Sequence, residues 1–91
     1  MTQISYPIDN DWTTEEIIKV VEFYAAIETA YDKGIKAAVL KEKHTAYKTV
    51  VSTISGDKQI DRQFEKLTGY SIYRTVKKMR QIEDSAILTM P

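Results

Sequence analysis

Residues 13–34, "TTEEIIKVVEFYAAIETAYDKG", decide the fold. Thr13 and Glu16 have the T-x-x-E spacing of a capping box, in which a threonine hydroxyl and a glutamate carboxylate satisfy each other's backbone amides at a helix start. Glu15 and Glu16 also suit the positive end of the helix dipole. Behind this cap Ile17, Val20, Val21, Tyr24, Ile27 and Tyr31 recur in steps of three and four, the period of a helix with one apolar face. Ile18, Phe23 and Ala25 widen the face on both sides, as expected of a central helix touched by more than one partner. Gly34 fits the left-handed residue just beyond a helix end. The spacing therefore predicts a helix over 14–32.

Upstream, "SYPIDNDW" (5–12) reads as an arm. Pro7 biases Tyr6 toward an extended backbone. Trp12 precedes the cap, where its ring can pack on Ile17 as a hydrophobic staple. The arm spans 1–12. Downstream, Ala37, Leu40, His44, Tyr47, Val51 and Ile54 form the stripe of a second helix over 36–53. The connection through Gly34 is short enough to make the first two helices antiparallel neighbours. "SGD" (55–57) breaks the chain, and Asp57 is a candidate cap for a third helix over 58–68 with Ile60, Phe64 and Leu67 inward. Gly69 ends it. Ser71 can cap a fourth helix over 72–84, where Ile72, Val76 and Met79 form the stripe. The tail 85–91, "SAILTMP", is apolar enough to extend that helix or to fold back. The expected architecture is all-α, one four-helix bundle-like domain with an extended N-terminal arm.

Ninety-one residues have room for one domain that buries roughly two-thirds of its unfolded surface. Three Gly and two Pro are too few for the turns of an all-β fold. The absence of Cys excludes disulfides, thiolate metal sites and cysteine nucleophiles. No apolar run reaches the length of a membrane span, and residues 1–10 lack the basic start and apolar stretch of a secretory signal, so a cytoplasmic location is expected. Net charge is zero, but residues 1–34 carry a balance of −5 and residues 35–91 a balance of +5.

Few chemistries fit these residues. Asp9 and Asp11 open like a calcium loop, yet its sixth position is Thr14 rather than Gly and its twelfth is Val20 rather than Glu. One His and no Cys argue against a transition-metal site. No Ser lies in a G-x-S-x-G elbow and no Gly-rich phosphate loop occurs. Neither catalysis nor a cofactor or metal is expected. Glu28 and His44 fall on the apolar stripes of the first two helices. An unpaired buried carboxylate is costly, so Glu28 should bond to His44, a tyrosine hydroxyl or a base from another helix. Such a pair would fix packing.

The segment 64–80, "FEKLTGYSIYRTVKKMR", resembles a helix-turn-helix. On a helical wheel Arg74, Lys77 and Lys78 share an outward face that could meet phosphates. Against this, Glu65 stands where the motif usually has Ala, and the whole chain is neutral. Tyr6 and Trp12 in the arm, and Tyr70 and Tyr73 beside the bases, are candidate anchors for a partner, since aromatic and Arg residues are frequent at binding hot spots. The leading expectation is a non-catalytic protein-interaction or regulatory module with an unidentified protein partner. The alternative is a nucleic-acid-binding module using 64–80.

The stretches "SYPIDNDWTTEEI" (5–17), "FYAAIETAYDKGI" (23–35) and "LTGYSIYRTVKK" (67–78) together resemble the YktA-like family of small uncharacterised proteins of Gram-positive bacteria. The resemblance runs from Tyr6 to about Lys78. It implies a compact, all-helical cytoplasmic domain and supplies no activity and no catalytic residues. It also implies that Tyr6, Pro7, Asp9, Trp12, Gly69, Tyr70, Tyr73 and Arg74 belong to the family pattern.

Overall fold

In the structure, a computed structural model that describes residues 6–91, the chain forms helices α1 (Thr14–Asp32), α2 (Ala37–Val50), α3 (Ile54–Thr68) and α4 (Ile72–Gln81). Two short strands, β1 (Ile35–Lys36) and β2 (Ile87–Leu88), pair antiparallel, with Ile35 opposite Leu88 and Lys36 opposite Ile87. Part of the expected arm, residues 1–5, lies outside the described residues.

The capping box forms as the spacing predicts. The Glu16 amide donates to the Thr13 hydroxyl at 3.2 Å, and the Thr13 amide donates to the Glu16 carboxylate at 2.8 Å. At the other end the Lys33 and Gly34 amides both donate to the Thr29 carbonyl, and Gly34 turns with φ 93°. The chain then doubles back, so that Phe23 stacks on Tyr47 at 4.4 Å and Glu22 pairs with Lys43 at 3.2 Å. These contacts are those of an antiparallel α1–α2 pair.

The tail folds back. It does so because α2 begins with Lys36, which offers no side-chain cap. The first four amides of a helix need acceptors. The tail supplies two of them: Ala37 donates to the Ala86 carbonyl at 2.9 Å and Ala38 to the Asp84 carbonyl at 3.0 Å. The Met90 amide donates to the Ala30 carbonyl at 2.8 Å, which brings Leu88 and Met90 into the core. This return requires α4 to stop at Gln81, earlier than 84, with Ile82 extended at φ −120°, ψ 163°.

The third helix also differs from expectation. It starts at Ile54, not 58, because Thr53 is its cap: the Thr53 hydroxyl accepts from the Gly56 amide at 3.1 Å. Asp57 therefore sits inside the first turn and caps nothing. Its carboxylate instead accepts from the Tyr47 hydroxyl at 3.1 Å and from the Lys48 ammonium at 3.2 Å. The shift turns Ile54 outward, 76% exposed, where the second-helix stripe expected it inside. The inward row of α3 is Ile60, Phe64 and Thr68, and Leu67 is left exposed.

The core is built on α1. Val20, Phe23, Tyr24, Ala26, Ile27 and Ala30 are buried there. Around them lie Leu40, Tyr47 and Val51, then Phe64, then Ile72, Val76 and Met79, and finally Leu88 and Met90. Its aromatic centre is a chain of rings. Tyr24 lies 5.0 Å from Phe64 and 6.4 Å from Phe23. Aromatic pairs at such distances add about 0.5–1.5 kcal/mol each beyond the area they bury.

Candidate binding groove

The sequence-predicted site residues do not share one place. Tyr6 belongs to a clamp on the arm. Its ring lies 5.2 Å from Tyr24 and stacks at 6.2 Å on Phe64, while its hydroxyl donates to the Glu28 carboxylate. The Tyr24 hydroxyl donates to the Pro7 carbonyl at 2.8 Å. Glu28 thus finds a tyrosine hydroxyl and not His44. The arm crosses α1 just where the Glu28 carboxylate can meet it. Burial, and then the Glu28 carboxylate itself, push the Tyr6 phenol up to about 12.

Tyr70 forms a second clasp. It stacks on Tyr31 at 4.3 Å, and the Tyr31 hydroxyl accepts from the Ser71 amide at 3.1 Å. The pair holds the Gly69 turn against α1. Trp12 is half-buried against the core and lines an open cleft of about 670 Å³ between the arm and the α2–α3 junction. Val51, Ile60, Gln59 and Gln63 complete that cleft.

A further place is a groove of about 450 Å³ where α2, α3 and α4 meet. Each helix contributes by its own period. From α2 come His44 and Lys48; from α3, Ile54, Asp57, Lys58 and Asp61; from α4, Ile72, Tyr73, Val76, Lys77, Arg80 and Gln81. Ile72 and Val76 are buried and form the floor. Ile54 and Tyr73 stand on the rim, 76% and 64% exposed, the two highest values among the large hydrophobic side chains described. Sequence reasoning placed Tyr73 and Lys77 correctly at the surface but did not join them to α2 and α3. It did not assign Ile54, Lys48, Lys58, Asp61 or Arg80 to a site. The steps from Tyr73 to Lys77 and from Lys77 to Arg80, four and three, were the available signal.

Arg74, Lys77 and Lys78 are all exposed on α4 but make different contacts. Lys77 lines the groove, Arg74 lies outside it, and the Lys78 ammonium donates to the Thr89 carbonyl at 2.8 Å. Part of the basic character expected of α4 is therefore spent on holding the tail.

The groove's electrostatics follow from which charges are already paired. Asp57 takes the Tyr47 hydroxyl and Lys48. Asp61 accepts from the Tyr73 amide at 3.3 Å, at the start of α4. Burial nevertheless pushes the Asp61 carboxyl up. Among the described residues Lys58, Lys77 and Arg80 make no ion pair. His44 lies 5.6 Å from the Phe23 ring. Burial pushes its imidazole down, helped by the charges of Arg80 and Lys48 and opposed by Asp57. The groove can bury apolar side chains on its floor and neutralise anionic groups at its rim. Among the described residues no group of three or more His, Asp or Glu side chains could hold a metal, and no helix is long and apolar enough to cross a membrane.

Comparison with known proteins gives this arrangement a lineage without a named chemistry. Residues 3–88 match the uncharacterised protein family UPF0223. A UPF0223 protein of Listeria monocytogenes is 45% identical over 89 residues, which are 98% of this chain and 99% of that protein. A UPF0223 protein of Bacillus cytotoxicus is 42% identical over 88 residues, covering 97% of this chain and 99% of its own length. One from Bacillus mycoides is 38% identical with the same coverage. The YktA-like resemblance of the sequence names this same family. The chain belongs to the uncharacterised bacterial protein family UPF0223.

Proposed function

We propose that the chain is a non-catalytic interaction module of the cytoplasm that receives a segment of a protein partner in the α2–α3–α4 groove. One observation carries this reading: Ile54 and Tyr73, the most exposed large hydrophobic side chains described, flank a single apolar floor of Ile72 and Val76. Exposed apolar side chains scattered singly need no explanation, but two lining one groove with an apolar floor form a surface that gains by being covered. A partner would find an apolar floor with an exposed aromatic and an exposed aliphatic side chain at its edge and charges around it, elements common at binding sites. The lack of Cys fits a reducing compartment.

A photo-crosslinking amino acid substituted at Tyr73 tests the reading in the bacterium that makes the protein. The expected result is one discrete protein adduct that disappears with Ile54→Asp. The same label at Ile18, exposed on α1 outside the groove, is the control. Adducts equal at both positions, or adducts to nucleic acid, would overturn the proposal.

A further inference from the structure

We infer that the groove's occupant is an acidic protein segment: one or two large apolar side chains seated on Ile72 and Val76, flanked by Asp or Glu side chains that meet Lys58, Lys77 and Arg80. This rests on the groove being a protein-binding surface and adds what that surface selects.

The argument is one of charge left over. Asp57 and Asp61 lie in the groove, but each is engaged from inside the protein. Asp57 serves Tyr47 and Lys48, and Asp61 serves the first turn of α4. Lys58, Lys77 and Arg80 face the same space with no ion pair among the described residues. They come from two helices and surround the apolar floor rather than forming a stripe along one helix. Elsewhere Lys41 pairs with Asp84 and Lys43 with Glu22, while Lys19, Lys33, Lys36, Arg62, Lys66 and Arg74 also make no ion pair among the described residues. What sets Lys58, Lys77 and Arg80 apart is that they line the groove where Ile54 and Tyr73 are also uncovered. Burial lowers the His44 imidazole first, and of these three cations Arg80 adds to that lowering.

An acidic, apolar segment complements both properties at once. Carboxylates at a cationic rim speed encounter and reject basic competitors, and the buried apolar anchor slows release. A nucleic acid would satisfy the cations and leave the floor and Ile54 poorly used. It would also need a basic protein surface, and this chain has zero net charge.

Selection of a random linear peptide library on the intact protein tests the inference, with each selected peptide mapped by NMR on the labelled protein. The expected peptides carry Asp or Glu around one or two large apolar residues and perturb Ile54, Tyr73, Val76 and the imidazole of His44. Their affinity should fall on the order of tenfold with Lys77→Glu plus Arg80→Glu, both at exposed positions. It should also weaken as salt rises, because the Debye length shrinks from about 30 Å at 0.01 M to about 10 Å at 0.1 M. The His44 titration midpoint should be higher in the complex with a selected peptide than in the complex with its Gln and Asn analogue, since only the first brings carboxylates beside the imidazole. Groove-binding peptides that are neutral or basic, or that bind equally well after amide replacement, would overturn the inference and leave the interaction surface standing. Peptides that map elsewhere, no enrichment at all, or binding of single-stranded DNA in the groove in place of peptide, would overturn both.

Discussion

Tyr6 and Tyr24 each use a ring and a hydroxyl to hold one short piece of chain. The Tyr24 hydroxyl takes the carbonyl of buried Pro7. The Tyr6 hydroxyl reaches Glu28, and its ring covers Phe64. A buried acceptor left unsatisfied costs about 1–3 kcal/mol, and a hydrogen bond to a charged group is worth about 1.5–3 kcal/mol. Tyr6→Phe and Tyr24→Phe should therefore each lower stability to urea by about 1–3 kcal/mol. The two losses should not add. Once the arm leaves α1, both hydrogen bonds are already gone, so the double variant should cost clearly less than the sum. Additive losses would mean that the two bonds act independently and the arm does not dock as a unit. The sequence made part of this visible. An acid on the apolar stripe of α1 called for a buried partner, and a tyrosine hydroxyl was among the candidates. Which tyrosine could not be read, because the path of an arm after Pro7 is set by the rings it meets and not by its own spacing.

At the scale of elements, the two left-handed glycines separate local from tertiary control. Gly69 has φ 80°, and a Cβ there would meet no atom within 4 Å. Gly34 has φ 93°, and its Cβ would fall 2.8 Å from the Thr89 hydroxyl and 2.9 Å from an Ile87 methyl. Both substitutions to Ala incur the left-handed penalty of about 1–2 kcal/mol. Gly34→Ala must also displace β2, so it should be the more damaging of the two. Exchange of the Ala37, Ala38 and Met90 amides should quicken in Gly34→Ala and stay unchanged in Gly69→Ala. Equal exchange in both variants would show that the tail does not depend on the close approach at Gly34. The contrast also marks what was legible. Ends governed by local chemistry, such as the Thr13 box, the Ser71 cap and both glycine turns, were readable from spacing. The start of α2 is capped by carbonyls about fifty residues away in sequence, at Asp84 and Ala86, and no local signal announces that. The start of α3 was misread for a different reason: Thr53 and Asp57 both have cap chemistry, and the choice fell to Thr53 once Tyr47 and Lys48 engaged Asp57 from α2.

The groove exists only at the scale of the whole molecule. Helical wheels drawn one helix at a time can place Tyr73 and Lys77 outside, but they cannot bring Ile54 and Lys58 of α3 opposite them, or set His44 of α2 at their side. The same assembly sets how stability varies with pH. His44 is held below its ordinary value by burial and by Arg80 and Lys48. The unfolded chain therefore binds the proton more readily, and stability present above about pH 6.5 is lost as pH falls through the folded value. Asp61 works in the opposite sense, because its raised carboxyl favours the folded state only at low pH; that contribution is lost as pH rises through its folded value. On the alkaline side burial raises the phenols of Tyr6, Tyr24 and Tyr47. Their stabilising effect is whole below about pH 10 and declines as pH climbs, through about 12 for Tyr6. The urea midpoint should thus form a plateau between about pH 6.5 and 10, with a shallow acid shoulder and a steep alkaline edge. His44→Gln should flatten the shoulder between pH 5 and 6.5 and leave the alkaline edge in place. Tyr6→Phe should soften the alkaline edge and leave the shoulder. A shoulder that survives His44→Gln would mean that the carboxylates, and not the buried imidazole, govern the acid side.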